Sequence, residues 1–82
     1  MIEEEMMQKI VELARRRIEG NYKITRQTFS LRGQEIAFRL DLDCGFMEGL
    51  YVSADNEIRM GSAKVGDIKI SNNLFELKKF FF

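Results

Sequence analysis

The chain has 82 residues, enough for one domain spanning 1–82 but short for a large core: a chain of this size buries only about 60–65% of its unfolded surface. Thirteen basic and thirteen acidic residues cancel, which argues against the net basic balance usual in nucleic-acid modules. With no histidine and a single cysteine, Cys44, the chain has no disulfide framework, no ordinary zinc ligand set and no Ser-His or Cys-His catalytic pair.

Residues 2–19 read as an amphipathic helix. Ile2, Met6, Ile10, Leu13, Ala14 and Ile18 recur at spacings of three and four and so share one face, which Met7 and Val11 widen. Glu3, Glu4 and Glu5 open the segment and Arg15, Arg16 and Arg17 close it, each set complementing the helix dipole at its end. Gly20 is placed to end the helix in the left-handed conformation, with Asn21 behind it.

From residue 21 the apolar period falls to two. Tyr22 and Ile24 are even, whereas Phe29 and Leu31 are odd, so a bulge or break is expected near Arg26 to Thr28. Arg32-Gly33 is a turn signal. Ile36, Phe38, Leu40 and Leu42 then alternate with Glu35, Ala37, Arg39 and Asp41, giving one buried and one wet face. Asp43-Cys44-Gly45 reads as a three-residue hairpin loop, pairing Leu42 with Phe46, Phe38 with Leu50 and Ile36 with Val52, and leaving Glu48 on the core side at the rim.

A third strand runs from Phe46 to Ala54, and Asp55-Asn56 turns the chain. Ile58 and Met60 mark a fourth strand, Gly61 to Gly66 a loop, and Ile68 and Ile70 a fifth strand. The tail from Leu74 to Phe82 fits a short helix, opened by Asn73 and Glu76 in a capping-box spacing, and fits a strand as well. The expected fold is α+β: an N-terminal amphipathic helix packed on an antiparallel meander of four to five strands, with a short C-terminal helix as one reading of the tail. The helix needs a sheet to cover it, and the sheet face needs a helix.

Three groups of residues bear on function. Asp41, Asp43 and Glu48 around Gly45 resemble the opening of an oxygen-ligand calcium loop. The pattern is incomplete, since Gly45 and Val52 stand where further ligands belong, and a plain β-hairpin explains the same residues. Arg15, Arg16, Lys23 and Arg26 could contact phosphates, with Tyr22 and Phe29 available for stacking. Helix-dipole complement and core packing are the plainer readings. Phe80, Phe81 and Phe82 are costly to leave in water, at about 2–3 kcal/mol each, so they either fold back or dock onto another subunit or partner.

Residues 9–39 carry an excess of five positive charges and residues 41–67 an excess of four negative ones, so charge is split along the chain. The acidic start lacks the basic region of an export signal and no apolar run approaches about 20 residues, so the expectation is a cytoplasmic protein away from membranes. Gly66-Asp67-Ile68-Lys69-Ile70-Ser71-Asn72-Asn73-Leu74 is similar to the second motif of the Sm-like RNA-binding proteins, chiefly in its alternation. That family carries Arg-Gly where Ser71-Asn72 stand here. A likeness over nine residues implies strand geometry and carries no function.

Taken together, the residues point to a non-catalytic protein–protein interaction module, an adaptor or small inhibitor acting as a homo-oligomer. An RNA- or single-strand-binding module and a calcium-binding hairpin are the alternatives. No catalytic motif and no cofactor signature argues for an enzyme.

Overall fold

The computed structural model describes residues 2–71. Both expectations for the tail, the short helix or strand and the docking role of Phe80 to Phe82, lie outside them. Helix α1 (Glu4–Arg17) is followed by β1 (Ile24–Arg32), β2 (Glu35–Leu42), β3 (Gly45–Val52), β4 (Glu57–Val65) and β5 (Ile68–Ser71). The strands form one antiparallel sheet in the order β1-β2-β3-β4-β5, a meander with α1 on one face. This is the α+β architecture that the helix and strand periodicities require. No helix among the described residues is long and apolar enough to cross a membrane.

Helix α1 buries Ile10 and Ala14, and Ile18 follows them into the core one turn later; Ile2, Met6, Val11 and Leu13 pack partly against the same core. Its first turn is acidic and its last basic, as the dipole favours. The helix does not end on a left-handed Gly20. Ile18 takes an extended conformation (φ −131°, ψ 102°) while its N–H still donates to the Ala14 carbonyl, and the Tyr22 hydroxyl donates to the Ile18 carbonyl at 2.6 Å. The phenol thus satisfies a carbonyl that a glycine cap would otherwise have served. Burying Ile18 turns the chain early, and that turn brings Tyr22 under the helix end.

Strand β2 alternates as its sequence implies. Ile36, Phe38, Leu40 and Leu42 are buried facing α1, and Arg39 and Asp41 lie on the opposite face. Ala37 also lies on that opposite face and is nevertheless buried. The irregularity of β1 falls between Ile24 and Arg26, one residue before the expected break, and produces the switch from even to odd parity.

The β2–β3 hairpin differs from the expected register. Leu42 pairs with Gly45, so the loop is the two residues Asp43-Cys44, and Phe38 pairs with Gly49 while Ile36 pairs with Tyr51. Met47, Gly49 and Tyr51 therefore face the core, and Phe46, Glu48, Leu50 and Val52 face away from it. Packing explains the choice. A Cβ on Gly49 would lie 2.8 Å from the Phe38 ring and 2.5 Å from the Arg59 carbonyl oxygen, so Gly49 is the recess that takes the Phe38 ring. Tyr51 fills the adjoining space and donates its hydroxyl to Asn56 Oδ1 at 2.9 Å. Gly45 is equally constrained: a Cβ there would stand 1.7 Å from the Lys64 carbonyl oxygen.

Strand β4 continues through the segment expected to be a loop. Gly49 pairs with Met60 and Met47 with Ala63, so Gly61 and Ser62 together oppose Glu48 as a bulge. The bulge changes parity: Ile58 is buried before it, and Ala63 and Val65 after it. The period-two signal therefore breaks in the middle of a continuous strand. The chain then turns through Gly66-Asp67 into β5, with Gly66 at φ +59°.

Candidate functional site

The three carboxylates of the candidate cation loop are separated by the two-residue hairpin. Asp41 and Glu48 lie on the sheet face away from α1, on either side of Arg39. The Arg39 Nε donates to Asp41 Oδ1 at 3.0 Å and its terminal nitrogen donates to Glu48 Oε1. The guanidinium also lies 4.6 Å from the centre of the Phe46 ring. Burial alone would lower the Arg39 pKa, but the hydrogen bonds and charges of Asp41 and Glu48 outweigh it and hold the group above its ordinary value. Asp43 instead accepts a hydrogen bond from the Lys23 backbone N–H at 3.1 Å. Among the described residues no three acidic or cysteine side chains gather where a metal ion could sit.

The cationic residues also divide. Arg16 pairs with Glu12 one helical turn away at 2.6 Å, on an exposed face. Arg26 sits opposite Asp41, on the sheet face away from α1. Arg15 and Lys23 come together, lining with Tyr22 and Asp43 a depression of about 420 Å³ at the C-terminal end of α1. Tyr22 is not a free stacking platform there. Its ring is buried, Arg15 lies 5.3 Å from the ring centre, and its hydroxyl is engaged with Ile18. Burial raises its pKa, partly opposed by the Arg15 charge and slightly reinforced by Cys44. Phe29 packs partly against the core.

A different surface emerges beside β1. Helix α1 packs over β4, where the Arg17 guanidinium donates to the Ile58 carbonyl at 3.0 Å. Two depressions, together forming a trough, lie between α1 and β1. One depression, of about 380 Å³, is lined by Ile2, Met6, Leu31 and Ile36 together with Glu3. A second, of about 270 Å³, is lined by Gln8, Val11, Glu12, Arg15 and Gln27. The trough is therefore mostly apolar at the start of α1 and polar further along, where Arg15 also borders the separate depression that holds Lys23.

The floor of this trough is a sheet edge. β1 pairs with β2 on one side and, among the described residues, with no strand on the other. The turn Gly33-Gln34 makes Arg32–Glu35 the closing, hydrogen-bonded pair, and antiparallel pairs alternate from there. Arg32, Ser30, Thr28 and Arg26 therefore spend their backbone groups on β2. Leu31, Phe29 and Gln27 turn their N–H and C=O to the open edge. The side chains of the same three residues lie on the α1 side, since they pair with Ile36, Phe38 and Leu40. Leu31 is 51% exposed, the most exposed large apolar side chain among the described residues.

Gln27, Leu31, Ile2 and Met6 were not singled out by the sequence as a site, because each fits a core or strand pattern. The meander order itself was the available signal, since the first strand of a meander is an edge. Compared with family models, with characterised proteins and with solved structures, the chain matches none of them.

Proposed function

We propose that this chain is a non-catalytic protein-binding module, an adaptor or small inhibitor, whose contact surface is the edge of β1 together with the adjoining trough under α1. The observation that carries this reading is the coincidence of two features on one strand. Three residues, Gln27, Phe29 and Leu31, turn backbone groups away from β2 that no other strand among the described residues takes up, and the side chains of two of them, Gln27 and Leu31, line the trough. An open strand edge is a ready template for another polypeptide, and proteins normally blunt it. Here the irregularity between Ile24 and Arg26 interrupts the start of the nine-residue strand, and the stretch beyond it carries an exposed leucine.

The composition supports the same reading. A chain without histidine and with one cysteine, placed in a turn, offers little for nucleophilic or acid–base chemistry. The nucleic-acid reading has less support, because Arg16 is engaged by Glu12, Arg26 lies on the far face and the Tyr22 ring is enclosed. Self-association would use the same kind of contact if a second copy supplied the strand.

The test is site-specific photocrosslinking in the full chain. A photoreactive side chain at position 31 should yield discrete polypeptide adducts from native extract. The same group at exposed position 59, on the opposite sheet face, should not. Equal adduct patterns from the two positions, or none from position 31, would refute the proposal.

A further inference from the structure

We infer that the occupant of the β1 edge is an extended peptide segment running antiparallel to β1, with an apolar side chain at one position and a carboxylate four residues later. This rests on the protein-binding reading above and adds the chemistry of the partner.

Strand addition to a sheet edge takes its affinity from main-chain hydrogen bonds and its specificity from pockets for alternate side chains. The open backbone groups belong to Leu31, Phe29 and Gln27, so an incoming strand pairs residue by residue with these three and the residues between them. Antiparallel pairing is the more stable arrangement. The partner residue opposite Leu31 then comes first, the one opposite Phe29 two residues later and the one opposite Gln27 four residues later. Side chains of a strand alternate, so all three point to the same face, the α1 side.

What each would meet follows from the lining of the trough. The first faces Ile2, Met6, Leu31 and Ile36 in a mostly apolar recess of about 380 Å³ that Glu3 also lines, which suits a leucine, isoleucine or phenylalanine. The third arrives beside Gln27 and Arg15. The Glu12 carboxylate at that end is already paired with Arg16, whereas the Arg15 guanidinium lies over the Tyr22 ring and has no carboxylate bond among the described residues. Lys23 lies farther along, in the neighbouring depression that Arg15 also lines, together with Asp43. A carboxylate is therefore favoured there and a cation disfavoured. Four strand residues span about 13 Å, at roughly 3.3 Å each, which sets the spacing between the two anchors.

The experiment uses the full chain and two fluorescently labelled peptides, Thr-Leu-Thr-Val-Thr-Glu-Thr and the same sequence with lysine in place of glutamate. Affinities are read by anisotropy against the native chain and against Arg15→Glu. The glutamate peptide should bind the native chain about fivefold more tightly than the lysine peptide, as suits an exposed ion pair. Arg15→Glu should invert that preference, and Leu31→Asp should weaken both peptides at least tenfold. Equal affinity of the two peptides for the native chain, or a preference that Arg15→Glu leaves unchanged, would overturn the inferred chemistry while position-31 crosslinks would still support the protein-binding reading. No binding of either peptide at millimolar concentration would overturn the extended-strand occupant. So would concentration-dependent amide shifts at Gln27 to Leu31 without peptide, which would assign the edge to a second copy.

Discussion

Replacing Gly49 with alanine tests the hairpin register and the core at once. The added methyl would meet the Arg59 carbonyl oxygen at 2.5 Å and two atoms of the Phe38 ring at 2.8 and 2.9 Å. All three lie well inside the roughly 3.5–4.0 Å at which such contacts are attractive. Neither neighbour yields easily: the oxygen belongs to the backbone of a paired strand, and Phe38 is fully buried. Overpacking of this kind costs about 1–3 kcal/mol, and two rigid neighbours place Gly49→Ala at the upper end. A domain of this size has only about 4–12 kcal/mol of stability. With a urea m-value of roughly 1 kcal/mol/M, the midpoint should fall by about 2–3 M without a change in slope. In the three-residue register Gly49 would face outward, and alanine there would instead stabilise the strand by about 0.5–1 kcal/mol. The sign of the effect therefore decides between the registers. A Phe38→Leu background should relieve part of the penalty, because the ring contacts go and the carbonyl contact stays. A Gly49→Ala midpoint equal to or above the native one would refute the reasoning.

Three further outcomes follow from the described contacts. Tyr22→Phe removes the donor to the Ile18 carbonyl and should cost about 0.5–1.5 kcal/mol by urea denaturation. Because burial raises the Tyr22 pKa above 10.0, its contribution is fully present below pH 10 and is lost as pH climbs through the higher folded-state value. Stability should fall across that alkaline range, and less steeply in Tyr22→Phe; identical slopes would remove Tyr22 as the cause. Arg39→Ala removes two carboxylate hydrogen bonds and the contact with Phe46, for an expected loss of about 1–2 kcal/mol that shrinks in high salt, measured by denaturation at two ionic strengths. Leu31→Lys should leave stability within about 0.5 kcal/mol, since the side chain is half exposed, while removing binding at the β1 edge; a large loss of stability would make Leu31 a core residue instead.

Much of the fold was legible where one physical signal dominated. The spacing of Ile10, Ala14 and Ile18 announced α1, and the strict alternation from Glu35 to Leu42 announced β2 and its buried face. Strand β3 hid its parity, because its two sides are both apolar: Phe46, Leu50 and Val52 on one, Met47 and Tyr51 on the other. The residue that decides between them, Gly49, has no side chain and so adds nothing to a hydrophobic pattern. Strand β4 hid its length for a related reason. Its bulge at Gly61-Ser62 reverses the alternation, and two small residues resemble a loop.

The candidate site was less legible still. The carboxylates Asp41 and Glu48 are close in sequence to Asp43, but the two-residue turn and the sheet send the first two to Arg39 and the third to the Lys23 backbone. Of the cationic residues, only Arg15 and Lys23 share a surface, and the pairing depends on how the chain turns after Ile18. The trough beside β1 depends on where α1 lies across the sheet, a tertiary property that no local period records. Leu31, adjacent to a turn, reads as core in the sequence and stands half exposed in the fold.

The β1 edge is most directly tested by amide hydrogen exchange, residue by residue along Ile24–Arg32, with and without the glutamate peptide. Strand addition should slow exchange at Gln27, Phe29 and Leu31 together while leaving Thr28 and Ser30, already bonded to β2, nearly unchanged. Slowed exchange without that alternation, or protection confined to other strands, would contradict a polypeptide seated on this edge.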